Sequence, residues 1–80
     1  MKLIKFGNDH CPMCKAMDGM LEKLNVKVQY VDTDTIEGMA LAQELGIRGL
    51  PVLVRLSNEG REEGRTGLTS IEELKKFVAK

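Results

Sequence analysis

Leu3-Ile4-Lys5-Phe6-Gly7-Asn8-Asp9-His10-Cys11-Pro12-Met13-Cys14 runs from an apolar strand pattern, through a polar turn, into the start of a helix. Gly7-Asn8-Asp9 is the turn signal. Pro12 suits the first helical position, where its missing N–H costs nothing, so Cys11 falls at the N-cap. Cys11 and Cys14 are the only 2 cysteines in the chain. A sulfur at a helix N-terminus meets unpaired backbone N–H groups and the positive end of the helix dipole, and both favour a thiolate. The second sulfur lies one turn on, on the same face and within bridging reach. The pair is expected to cycle between dithiol and disulfide, with Cys11 as nucleophile and Cys14, inside the helix, as the resolving thiol.

Outward from this junction the chain reads as alternating elements. Leu3–Phe6 is a short strand. From Pro12 to about Leu24, Met13, Met17, Met20, Leu21 and Leu24 recur at helical spacing, with Lys15, Asp18 and Glu22 on the opposite face. Val26–Val31 alternates with period two and reads as a strand. Asp32-Thr33-Asp34-Thr35 is a turn rich in caps, followed by a helix from Ile36 to Leu45 that Gly46 closes. Pro51–Leu56 is a third strand, Ser57–Gly60 a hairpin turn, and Arg61–Thr66 a polar edge strand. Thr69 or Ser70 caps a last helix whose buried face is Ile71, Leu74, Phe77 and Val78. The order β-α-β-α-β-β-α predicts an α/β domain. The first two strands should be parallel through a right-handed crossover and the last two should form an antiparallel hairpin.

The chain has 80 residues, which makes one domain, 1–80, with a small core. Lys and Arg total 12, Asp and Glu total 12, and the aromatics are three, so neither a basic stripe nor a stacking surface points to nucleic acid. No apolar run reaches membrane-spanning length. The N-terminal Met1–Phe6 carries Lys2 and Lys5 and is too short for a signal peptide's apolar segment, so a cytoplasmic location is expected.

Other chemistries compete for the same residues. A structural zinc site needs four ligands, and only His10, Cys11 and Cys14 stand close, with Asp9 badly placed as a fourth. Copper(I) binding by two thiolates, in a carrier or redox-sensing module, stays open. Haem attachment needs a histidine after the second cysteine, and Lys15 is there instead. His10 either assists proton transfer to the thiols or is a solvated part of a docking surface. Lys5 either snorkels out of the sheet or pairs with an acid such as Asp32, since an unpaired buried charge is costly.

The chain resembles the thioredoxin superfamily on three stretches: Cys11-Pro12-Met13-Cys14 after the first strand, Gly46-Ile47-Arg48-Gly49-Leu50-Pro51 before an apolar strand, and Gly67-Leu68-Thr69-Ser70 before an amphipathic helix. The resemblance covers nearly the whole chain. It implies a thioredoxin fold, a four-stranded mixed sheet covered by three helices. The length and trimmed topology, and the proline directly after the first cysteine, are similar to glutaredoxins. The family pattern implies a cis peptide bond at Pro51 beside the cysteines, with the backbone of Leu50 offered to substrate and a docking patch around Met13, Leu50 and Gly67. Two positions depart from thioredoxins, His10 for a tryptophan and Lys5 for a buried acid. The glycine pair and acid with which glutaredoxins hold glutathione are not evident around Gly67. The resemblance implies a thiol–disulfide oxidoreductase supported by Pro12, Met13 and His10, needing no cofactor beyond the Cys11–Cys14 disulfide. Its partners would be disulfide-bearing proteins and a thioredoxin-reductase-like or glutathione donor, and the chain itself would be a monomer.

Overall fold

A computed structural model describes residues 1–79; Lys80, the last residue of the expected domain, lies outside them. The elements are β1 (Lys2–Gly7), α1 (Pro12–Lys23), β2 (Gln29–Asp32), α2 (Ile36–Glu44), β3 (Val52–Leu56), β4 (Glu62–Thr66) and α3 (Ile71–Val78). One sheet of 4 strands has the order β2-β1-β3-β4. β1 is parallel to β2, and the pairs β1/β3 and β3/β4 are antiparallel. This is the thioredoxin fold.

The pleat of β1 sorts the core. Leu3 faces the side covered by α1 and α3, where it packs with Met17, Leu21, Leu53 and Leu74. Ile4 and Phe6 point to the other face and pack with Ala42 of α2 and Val54. Successive strand side chains alternate, so Lys5 shares the face of Leu3 and is carried into the first of these cores.

Helix ends follow local chemistry. Thr35 Oγ1 accepts the Gly38 N–H at 2.9 Å and Ser70 Oγ accepts the Glu73 N–H at 3.2 Å, each as an N-cap. Of the two expected caps for α3, Ser70 therefore takes the role. Gly46, at φ 70°, ends α2 in the left-handed region. The Gly46 N–H reaches Gln43 O at 3.1 Å and the Ile47 N–H reaches Ala42 O at 2.8 Å, a Schellman closure. α1 ends in the same way on Asn25, at φ 56°, with the Val26 N–H bonded to Leu21 O at 3.1 Å. That closure shortens the strand expected over Val26–Val31. Val26 is spent on the helix end, and pairing with β1 starts at Gln29, opposite Ile4.

The register brings four segments to one end of the sheet. β1 ends at Gly7, just before the cysteine turn. Phe6 pairs with Val52, so Pro51 lies at that end, and Leu53 pairs with Thr66, so Gly67 does too. Gly7 pairs with Asp32, and the Thr33 N–H donates to Gly7 O at 2.9 Å.

Candidate active site

Cys11 is the N-cap of α1, with extended backbone (φ −99°, ψ 107°), and Pro12 opens the helix. The Cys11 sulfur accepts the Cys14 N–H at 3.1 Å. A sulfur thus fills the place that a serine or aspartate oxygen takes at other helix starts. Cys11 is partly exposed and Cys14 is 1% exposed; both are free thiols.

The environment pulls the two thiols apart. The hydrogen bond from the Cys14 side chain lowers the Cys11 pKa below that of an ordinary cysteine. Burial works against this, while the N–H groups of Cys14 and Met13 and the Lys5 charge add to it. Burial raises the Cys14 pKa first, and its hydrogen bond to Cys11 raises it further. The arrangement can therefore supply one accessible thiolate and one masked thiol within the same turn.

The other expected site residues are spread around this turn. His10 is exposed, and its backbone N–H is held by Asn8 Oδ1 at 2.9 Å. Met13 is 53% exposed on the first turn of α1. The Leu50–Pro51 peptide bond is cis. Pro51 is buried and Leu50 half-buried. Gly67 lies against the Pro51 backbone, where a Cβ on it would stand 3.7 Å from Pro51 O. A shallow cavity opens beside Leu50, lined also by Thr33, Met39, Ala42 and Ile47. The larger cavity lies between β4 and α3, among Arg55, Arg65, Lys76 and Phe77, and includes neither cysteine. Among the described residues no group of 3 or more His, Cys, Asp and Glu side chains is placed to hold a metal ion.

Three residues of the site escape a sequence reading. The partner of Lys5 is Asp18, not Asp32. Asp18 is four residues beyond Cys14, so it stands at the edge of the buried face of α1 rather than opposite it. Asp32 instead accepts the Asp34 N–H at 2.9 Å within its own turn. Tyr30 pairs with Lys5 across the sheet and carries the lysine ammonium 5.1 Å from its ring centroid. Gly7 is the third. A Cβ there would meet Cys14 Sγ at 3.0 Å, Cys14 Cβ at 3.3 Å and Lys5 Nζ at 3.4 Å. Gly7→Ala is thus expected to crowd the buried thiol. It should cost about 1–3 kcal/mol by urea unfolding and slow closure of the disulfide; unchanged stability and closure rate would show that the space is not shared.

The fold and the two cysteines at its first helix start define a thiol–disulfide oxidoreductase of general type. The sequence model of the thioredoxin family matches residues 1–80. A curated relative, the SPbeta prophage-derived thioredoxin-like protein YosR of Bacillus subtilis (strain 168), is 33% identical over 66 residues, 82% of this chain and 80% of that protein. Among solved structures, thioredoxin 1 of Thermosipho africanus TCF52B is 25% identical, with TM-score 0.74 over 99% of this chain and 91% of that one. A mutant thioredoxin of Halobacterium salinarum NRC-1 is 31% identical, with TM-score 0.79 over 95% of this chain and 69% of that one. The chain belongs to the thioredoxin family.

Proposed function

We propose that this protein reduces disulfides in other proteins, with Cys11 attacking and Cys14 resolving. The asymmetry of the two sulfurs carries the reading: Cys11 is reachable and held by the Cys14 N–H, while Cys14 is buried. The Cys11 thiolate attacks one sulfur of the target and expels the other, which takes up a proton. Cys14 then attacks Cys11 Sγ. The mixed disulfide breaks, the Cys11–Cys14 disulfide forms, and the proton of Cys14 ends on the second target thiol. Two electrons pass from this chain to the target.

His10, Pro12, Met13 and Pro51 frame the sulfurs in this reading, and Met13, Leu50 and Gly67 receive the target chain. The Cys11–Cys14 dithiol, which becomes the disulfide on giving up two electrons, is the whole electron store, with no metal or organic cofactor. A thioredoxin-reductase-like protein or glutathione restores the dithiol. The lone cysteine pair supports a cytoplasmic location and the balanced charge supports action on proteins rather than on nucleic acid; in this reading the chain acts as a monomer. No helix among the described residues is long and apolar enough to cross a membrane.

Insulin reduction, run in parallel with thioredoxin reductase and with glutathione plus glutathione reductase, tests the function and identifies the donor. Turnover with neither system would overturn it. The thiol asymmetry has its own test. Only the thiolate alkylates, and the Cys11 pKa is lowered, so its reaction with iodoacetamide should reach half-maximal rate at a lower pH than free cysteine. Cys14 should stay unreactive until higher pH. In urea the two profiles should merge at the ordinary thiol value; two native profiles that already coincide would contradict the asymmetry.

A further inference from the structure

Lys5 is 0% exposed and is the charged residue buried among those described. It pairs across the sheet with Tyr30 on one side and Leu53 on the other. Its ammonium is ion-paired to the carboxylate of Asp18, whose side chain is 54% exposed. The same ammonium and Cys14 Sγ border one methyl-sized space above Gly7, which lies 3.4 Å from the nitrogen and 3.0 Å from the sulfur. An apolar residue of similar length fits this core at least as well, because replacing a buried ion pair by packed hydrophobic groups is commonly neutral or stabilising. A buried cation here is therefore poorly explained by stability, whereas its position behind the second sulfur is well suited to acting on that sulfur's charge.

We propose that Lys5 is a positioning residue for the dithiol pair: its ammonium, held by Asp18, favours negative charge on the Cys14 sulfur while the mixed disulfide is resolved, and biases the Cys11–Cys14 couple toward the dithiol. The inference rests on the roles assigned to the two cysteines. When Cys14 attacks Cys11 Sγ it must shed its proton, which the departing target thiolate finally takes. Burial alone opposes the charge that Cys14 carries in between, and a nearby cation offsets that opposition. The dithiol state carries thiolate charge that the disulfide lacks, so the same cation stabilises the reduced form. Asp18 sets the size of the effect. It keeps the lysine oriented and also screens it from the sulfurs. Besides the Cys14 thiol, the groups that bear on Tyr30, the cross-strand neighbour of Lys5, are Asp9 in the cysteine turn, Asp18 on α1 and Asp32 on β2. All three aspartates act on the Tyr30 phenol, whose pKa is raised first by its burial and then by these carboxylates. Lys5 is therefore a buried cation with these carboxylates around its neighbour Tyr30.

Lys5→Met and Asp18→Asn, each in the full chain, separate this charge effect from a packing role. Equilibration against glutathione buffers gives the dithiol/disulfide ratio. Glutathione disulfide loads Cys11, and release of glutathione then times resolution by Cys14. Lys5→Met is expected to shift the equilibrium about tenfold toward the disulfide, about 30 mV for a two-electron couple, and to slow resolution about tenfold. Asp18→Asn removes the counter-charge and should move the equilibrium the opposite way, toward the dithiol. Shifts in the same direction, or no shift in either variant, would overturn the proposal. If Lys5→Met does not fold, Asp18→Asn decides alone, since loss of a merely structural ion pair lowers the urea midpoint without favouring the dithiol. A wild-type chain that forms no Cys11–Cys14 disulfide with glutathione disulfide defeats the underlying assignment, and this inference with it.

Discussion

Cys11→Ser is expected to bring insulin reduction down to the uncatalysed background, a loss of roughly a thousandfold or more. Cys14→Ser should also stop turnover, but at a different point. The hydroxyl at position 11 is far less acidic than the thiol it replaces, and the N–H of Cys14 cannot make it a nucleophile at neutral pH. The serine at position 14 leaves the first step intact. The N-cap sulfur still accepts its backbone N–H and still attacks, and the mixed disulfide then has no internal thiol to displace it. Mass spectrometry of Cys14→Ser after exposure to a disulfide-bearing protein should show a 1:1 covalent adduct, released by dithiothreitol and attached at Cys11. An adduct on Cys11→Ser, through Cys14, would reverse the two roles. Both variants are expected to keep the fold: at position 11 a serine caps the helix as well as a cysteine does, and at position 14, inside the helix, it is close to cysteine in volume.

The element order and the helix start are legible from residue type because they rest on local chemistry. Proline at the first turn, serine at a cap and glycine past a helix end each act within a few residues. The surroundings of Lys5 are not legible in this way. Period-two alternation puts Lys5 on the Leu3 face, and that alone points inward; the choice of Asp18 over Asp32 depends on how α1 lies across the sheet. Residue type groups Asp18 with Lys15 and Glu22 on the polar face, although the four-residue step from Cys14 sets it at the border of the face that carries the buried thiol. The start of β2 is hidden for a similar reason. Val26 and Val28 have the residue type and spacing of a strand, but the left-handed Asn25 uses the Val26 N–H to close α1. Gly7 reads in sequence as the end of a strand and no more. Its importance comes from the Cys14 sulfur, which the cysteine turn folds back over it, and no pattern along the chain encodes that approach.

Gly38→Ala sets the same two kinds of force against each other. By helix propensity the substitution should help, since alanine is favoured over glycine inside a helix by about 1 kcal/mol. The structure predicts the opposite sign. A Cβ on Gly38 would stand 1.9 Å from Asp32 O, 2.7 Å from Asp32 C and 2.9 Å from Thr35 Oγ1. The first two are backbone atoms that cannot rotate aside. Asp32 O is also fixed by the Thr35 hydroxyl at 2.8 Å and the Thr35 N–H at 3.2 Å, so the turn from β2 into α2 has no slack. Overpacking of this kind costs about 3 kcal/mol or more at its upper end, which outweighs the propensity gain and leaves a net loss of about 2 kcal/mol or more. For a domain of this size that is a fall in Tm of roughly 10 °C. The loss should reach the site as well. The same turn carries Thr33, whose N–H holds Gly7 O at 2.9 Å, and Gly7 ends the strand that leads into the cysteines. Calorimetry on Gly38→Ala, with the Cys11 alkylation profile measured on the same sample, checks both effects. A variant as stable as the parent would mean that α2 can lift off the β2 turn, and the strand end beneath the thiols would then be held more loosely than its hydrogen bonds imply.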